Sequence, residues 1–290
     1  VAVAIYCQRS GGWPARFEPA FVTHGVANSS EFHRQEYGGY GFKRGPLVTG
    51  KQPDFLLIGD SHGKQLTEGL VRELLEPGHL GGSMEAGTSL LHTPGIVRTT
   101  AGQDWQKLLD SQLETIERVL RTTQPQPVVL LGQSWIGQAA RSAPRSPSGE
   151  LLDAPVTPEL VVAGLVELRR RLGIRQLVVV GQVPPPQHAD LFEELSRPPL
   201  SRRVDPQAAR TFAPPEAAAA WNRALAAGAA QTGAYTFLDP TEALTVDGRC
   251  LAITADDELI YTDSTHLSRT GSRLVMRHFR DRLLALLASR

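Results

Sequence analysis

The stretch PDFLLIGDSHGKQL, residues 53–66, decides the fold. From Asp54 to Gly59 it is a continuous apolar run behind Pro53, the pattern of a strand buried on both faces in a parallel sheet. Two residues later comes Ser61, and Leu66, Leu70, Val71, Leu74 and Leu75 then recur at helical spacing. The chain therefore passes from strand to helix at a serine. That junction lies at the C-terminal edge of the sheet, where open α/β folds bind ligands. The Ser61 N–H, at the start of the helix, points toward a bound group and can help to stabilise an oxyanion.

A serine hydroxyl is a weak nucleophile until a base takes its proton. The partner segment is Asp263-Ser264-Thr265-His266-Leu267-Ser268. His266 stands just ahead of a C-terminal helix marked by Ser268 as a cap and by Leu274, Val275, Phe279, Leu283, Leu284 and Leu287 as its apolar stripe. Asp263, three residues earlier, is close enough on a tight turn to orient the imidazole and stabilise its cation. Each segment alone has an ordinary structural reading, a strand end in one case and a helix cap in the other. Their pairing is more specific than either.

Further apolar runs fall at Pro127 to Gly132, Gln176 to Gln182 and Tyr235 to Leu238, with a weaker one at Ser83 to Ala86. Helical patterns lie between them, over Gly63 to Glu76, Trp105 to Thr122, Pro158 to Leu172 and Pro215 to Thr232. This βαβα alternation predicts a parallel sheet with helices on both faces. Residues 1–50 show little periodicity and read as an N-terminal extension packed on the core, leaving 51–290 as one catalytic domain.

Composition agrees with one domain holding a large core, since the chain has 290 residues. Lys+Arg and Asp+Glu are 30 each, so bulk charge favours neither nucleic acid nor an anionic membrane as partner. No apolar stretch reaches about 18 residues, the length needed to span a bilayer. Cys7 and Cys250 are either two buried thiols or, in an oxidising compartment, a disulfide tying the N-terminal extension to the loop before Asp263.

Two rival chemistries are weaker. Asp60-x-His62-Gly63 also opens the metal-ligand pattern of calcineurin-like metallophosphoesterases, but the Gly-Asp-x-x-Asp and Gly-Asn-His segments that class needs are missing, so no metal is expected. His62 reads instead as a neighbour that shapes the serine turn or touches substrate. The Gly-x-Ser-x-Gly elbow of α/β-hydrolases is also absent around Ser61.

PDFLLIGDSHGKQL around Ser61, VVLLGQSW ending at Trp135 and LIYTDSTHLSRTGSRLV around His266 together resemble the SGNH (GDSL-like) hydrolases. They are most similar to the SGNH domain at the C-terminus of acyltransferase-3-type membrane O-acetyltransferases, and GGWPARF at 11–17 resembles the segment that follows the membrane part of those enzymes. The resemblance implies a three-layer α/β/α fold with a flavodoxin-like sheet, and Ser61, His266 and Asp263 as nucleophile, base and orienter. It implies O-acetylation of a bacterial cell-surface polysaccharide such as lipopolysaccharide O-antigen, with a carbohydrate esterase or an inactive glycan-binding module as alternatives. It further implies a periplasmic location tethered to the inner membrane, an acyltransferase-3 membrane partner, no bound cofactor and an acetyl donor supplied from outside this segment.

The oxyanion blocks depart from the family pattern. Gly132-Gln133-Ser134-Trp135 stands where many members have Gly-x-Asn-Asp, so Ser134, Gln133 or a backbone N–H must replace the asparagine. Trp135 is either part of that site or plain core. The loop glycine is read as Gly87, with Gly81, Gly82 and Gly95 as competitors. Two long loops, Gln138 to Pro158 and Pro184 to Pro215, follow strand ends and read as binding loops or mobile surface. Their Arg141, Arg145, Arg202 and Arg203 can meet an anionic sugar or simply be solvated.

Overall fold

The five apolar runs become the parallel strands of a single sheet in the computed structural model, which describes residues 28–196 and 204–290. The strands are β2 (Phe55–Gly59), β3 (Gly82–Ala86), β4 (Val128–Gly132), β5 (Leu177–Val180) and β6 (Thr236–Leu238). A two-residue strand, β1 (Gly45–Pro46), joins β3 antiparallel at the edge. The spatial order is β1-β3-β2-β4-β5-β6. Without β1, the parallel strands run 2-1-3-4-5 in chain order, the flavodoxin-like arrangement, whose topological switch point lies between β2 and β4.

Strand alternation divides the core in two. Phe55, Leu57, Val128, Leu130, Val178 and Val180 face one side, and Leu56, Ile58, Val129, Leu131, Leu177 and Val179 the other. The first side is covered by Val275, Met276, Phe279 and Leu283 of α6 (Arg269–Ala288) and by the helical stretch that follows Ser61. The second is covered by α3 (Trp105–Thr122), α4 (Pro158–Leu172) and Leu225 of α5 (Glu216–Thr232). Helices on both faces of a mostly parallel sheet make the three-layer α/β/α fold.

Helix boundaries follow local chemistry. Thr157 caps α4 ahead of Pro158, and Gly173 closes it in the left-handed conformation. The pattern over 63–76 predicts one helix, but the chain there forms α2 (Ser61–Lys64), a short turn at Thr67–Gly69 and a π-helical turn at Leu70–Leu75. The break lies where α6 closes in. Gly69 N–H donates to Ser272 Oγ at 2.9 Å, and a Cβ on Gly69 would meet Ser272 O at 2.1 Å. Buried Glu68 is held from α6 by Arg273 at 3.2 Å and Arg269 at 3.6 Å.

Periodicity missed several smaller elements. Ile96–Arg98 pairs with Ser142–Pro144, inside one of the long loops. Thr211–Phe212, Arg249–Leu251 and Thr245–Val246 form a three-stranded sheet beside the core. Residues 28–50 are not featureless either: α1 (Ser29–Glu36) packs Phe32 face to face on Phe192, with ring centroids 4.4 Å apart. Cys250 is buried, and Cys7 lies outside the described residues, as do Arg202 and Arg203. Among the described residues no helix is long and apolar enough to cross a membrane.

Candidate active site

Sheet register assembles the site. Gly59 of β2 pairs with Gly132 of β4 on one side and with Ala86 of β3 on the other. Ser61, Ser134 and Gly87 therefore leave the same sheet edge side by side. Close packing demands the glycines. Gly59 has φ of +132°, and a Cβ there would lie 1.8 Å from Gly132 O, while one on Gly63 would lie 2.7 Å from both Gly132 O and Ile58 O. Only glycines let the serine turn sit this close to β4.

Asp60 fixes that turn. Its carboxylate is 1% exposed and accepts the His62 N–H at 2.8 Å, the Ser134 N–H at 3.2 Å and Gln138 Nε2 at 2.6 Å. It caps α2 and ties the β2 turn to the β4 turn with charge-assisted bonds. Asp60 is thus a structural clamp here, with its oxygens turned to protein donors.

His266 arrives from the loop ahead of α6. Ser268 caps that helix by accepting the Gly271 N–H, Leu267 N–H donates to Gln65 Oε1 at 2.8 Å, and Thr262 N–H donates to His266 O at 2.9 Å. Held this way, His266 Nε2 lies 2.8 Å from Ser61 Oγ, and His266 Nδ1 lies 2.8 Å from Asp263 Oδ2. Asp263 Oδ1 accepts the backbone N–H groups of Thr265 and His266, each at 2.8 Å. Nδ1 faces a carboxylate and so carries the proton, leaving the Nε2 lone pair for the serine O–H.

Two further side chains reach this trio from a segment that sequence periodicity left blank. Tyr37, just past α1, donates its hydroxyl to Ser61 O at 2.5 Å, and its ring stands edge-on to His266. His33 Nδ1 lies 3.1 Å from Asp263 Oδ2 and 2.9 Å from Thr262 Oγ1. The only sequence signals for them were a lone histidine and a tyrosine before Gly38-Gly39.

Electrostatics follow from these contacts. Burial pushes the Asp263 carboxyl up, but hydrogen bonds from His266, His33 and the Thr265 N–H outweigh it and hold it well below the usual carboxylate range. Burial pushes His62 down to about 4; Asp60 and Asp263 pull it up, His266 pushes it further down, and the ring stays neutral at pH 7. Burial and the charges of Asp60 and Asp263 keep the Tyr37 hydroxyl protonated far above its ordinary range. His33, Asp263 and His266 place one ligand atom each within 4.8 Å of one another, the one set among the described residues with the makings of a metal site. In the hydrogen-bonded state both imidazole Nδ1 atoms are donors toward Asp263, with no lone pair left there for a cation.

The expected oxyanion residues separate on inspection. Gly87 N–H donates to Gly59 O at 2.9 Å and Ser134 N–H to Asp60, so both amides are engaged, and Ser134 keeps its hydroxyl. Gln133 shares the inward face of Leu131, where its Oε1 accepts His92 N–H at 3.1 Å and its Nε2 donates to Leu90 O. Trp135 is fully buried and donates Nε1–H to Val180 O at 2.8 Å. Gln133 and Trp135 hold the floor of the site together rather than line it. The Ser61 N–H, first in α2, is one that helix geometry leaves without an intrahelical acceptor. Gly81 and Gly82 lie at the opposite end of β3, whose Gly82 pairs with Phe55, and are far along the strand from Ser61.

Comparison with known proteins gives the family. A periplasmic domain of a lipopolysaccharide acetyltransferase from Salmonella ser. Paratyphi A superposes with a TM-score of 0.58 at 16% identity, covering 97% of each chain. A GDSL-like lipase from Bacteroides thetaiotaomicron VPI-5482 gives 0.42 at 10% identity, over 90% of this chain and 99% of the other. The first supports the fold alone. No curated sequence matches. The model of the SGNH domain, described as fused to AT3 domains, matches residues 29–281, and the chain belongs to that family.

Proposed function

We propose that this domain is a serine-dependent O-acyltransferase working through an acyl-Ser61 intermediate. The observation that carries the reading is the unbroken relay from Ser61 Oγ to His266 Nε2 and from His266 Nδ1 to Asp263, each link 2.8 Å. In the first half-reaction Ser61 Oγ attacks the acyl carbonyl carbon while His266 Nε2 takes the hydroxyl proton. The tetrahedral oxyanion is met by the Ser61 N–H and the Ser134 hydroxyl. The imidazolium returns its proton to the leaving group as the C–O or C–S bond to the donor breaks. In the second half-reaction His266 Nε2 takes the acceptor hydroxyl proton as that oxygen attacks the acyl carbon, the bond from the acyl carbon to Ser61 Oγ breaks, and the imidazolium returns the proton to Ser61 Oγ.

Membership of a domain family described as fused to AT3 domains supports a transferase that receives its acetyl group from a membrane partner. Likeness in fold to a periplasmic lipopolysaccharide acetyltransferase domain suggests a cell-surface polysaccharide as acceptor and the periplasm as location. Partition of the intermediate tests this reading. Acetyl-Ser61, formed from an activated acetyl ester and chased with oligosaccharide or buffer, is expected to discharge faster to the sugar. Equal discharge in both would make the protein an esterase.

A further inference from the structure

His33 is bonded to the carboxylate of a triad that is already complete without it. Asp263 Oδ1 is pinned by two backbone N–H groups of its own loop, while Oδ2 is shared by His266 Nδ1 at 2.8 Å and His33 Nδ1 at 3.1 Å. The tautomer of His33 follows from its partners. His33 Nδ1 lies 3.1 Å from the Asp263 carboxylate, and a ring lone pair aimed at an anion is repelled by it. Nδ1 therefore carries the proton, and it faces both the Asp263 carboxylate and, at 2.9 Å, Thr262 Oγ1, a hydroxyl that can accept it. The ring is braced by Tyr37, stacked at 5.2 Å and 22°, and stands edge-on to His266 at 5.4 Å. Tyr37 in turn holds Ser61 O, so α1 and the turn after it touch two of the three relay residues.

We propose that His33 is a positioning residue for the acyl-transfer site, its Nδ1–H fixing the Asp263 carboxylate plane and limiting how strongly that carboxylate pulls on the His266 proton. This deepens the acyl-Ser61 reading and rests on it. Without His33, Oδ2 has only His266 as a donor. The carboxylate plane is then held at Oδ2 by His266 alone and tilts more readily about its Oδ1 anchors, and its undivided charge stabilises the imidazolium more. Two effects follow: fewer molecules hold Nε2 aligned with Ser61, and the base is lost to protonation at higher pH. The ionisable groups facing His266 are Asp263 on its own loop, His33 and Tyr37 from the N-terminal segment, and Asp60 and His62 from the serine turn. Only His33 is removed in the test.

The test measures acetyl-adduct formation from p-nitrophenyl acetate across pH for the wild type, His33→Ala and His33→Asn, with thermal midpoints and the downfield proton NMR signal of His266 Nδ1–H. Asparagine is the conservative variant because its amide nitrogen can occupy the place of Nδ1 and donate to the same oxygen. His33→Ala is expected to lower kcat about tenfold with KM unchanged, the scale of losing an outer partner of a site histidine. The acid limb of its rate profile is expected to move to higher pH. Its Nδ1–H signal is expected further downfield, and His33→Asn should restore rate, limb and signal together. A His33→Ala protein that forms adduct with wild-type rate, limb and signal overturns the proposal. So does one that only melts earlier, which would make His33 structural. Absence of adduct in the wild type would overturn the acyl-Ser61 reading itself, and with it any catalytic role for His33.

Discussion

Two aspartates flank the candidate nucleophile, and their surroundings differ in kind. Asp60 is 1% exposed and spends both oxygens on two backbone N–H groups and one amide, none of which titrates. Asp263 is 35% exposed and meets two imidazoles, groups that do titrate. The same side chain is a clamp among fixed donors in one place and the partner of two imidazoles in the other. What separates them is the donor set rather than sequence distance, since Asp60 is the nearer neighbour of Ser61 along the chain.

The largest effect is expected at Asp263. Asp263→Asn places an amide against His266 Nδ1, favours the wrong tautomer and should lower the rate of adduct formation about 1,000-fold or more, far beyond what any accompanying loss of stability would cause in protein that is still folded. Rate and melting, measured on one preparation, check it. Asp60→Asn should reverse that balance. An amide offers one acceptor oxygen to donors that now share two, and about 3 kcal/mol of stability should be lost in denaturant unfolding. If Asp60→Asn leaves the midpoint untouched, the clamp is wrong and Asp60 belongs with the chemistry.

His62, next to Asp60, sets a pH dependence of stability. Its folded pKa is about 4, below the ordinary 6.5, so the unfolded chain binds a proton that the folded chain refuses. The stability tied to neutral His62 is full above pH 6.5 and is lost as pH falls toward 4. At pH 5 the loss is about 2 kcal/mol. His62→Gln should flatten this part of the stability profile. His92, also fully buried and held near 4, leaves a residual slope in the same window. A variant whose stability still falls as steeply as wild type would place the cause elsewhere. The smallest effect is Tyr37→Phe, which removes one hydrogen bond from Ser61 O. Because the Gln65 N–H also donates to that carbonyl at 2.9 Å, about 1 kcal/mol is expected, with a rate change of a few-fold.

Legibility in the sequence followed the range of the interaction. The strand into Ser61 and the Asp263-to-His266 turn were readable because each is local: a buried run ending in Gly-Asp-Ser, and a carboxylate three residues from an imidazole on a capped turn. The sheet followed from the regular alternation of element types, and its register then did what no motif states, setting Gly59 against Gly132 and Ala86. Gln133 and Trp135 were read toward the site because the block around them resembles a donor motif. Alternation along β4 instead sends Gln133 to the Leu131 side, and Trp135 fills the core beneath. His33 and Tyr37 were not readable as site residues. Their partners lie more than twenty residues away for Tyr37 and more than two hundred for His33, and long-range contacts bring α1 to the site: Phe32 on Phe192, the Tyr37–Ser268 bridge and Arg269 Nε donating to Gln35 O.

The central claim is that Ser61 is acylated through His266. Intact-mass measurement of the wild type and Ser61→Ala after brief exposure to an activated acetyl ester tests it most directly. The account predicts one added acetyl group on the wild type, mapping to Ser61, and none on Ser61→Ala at unchanged thermal midpoint. An equal adduct on both proteins, or none on a folded wild type, would contradict it.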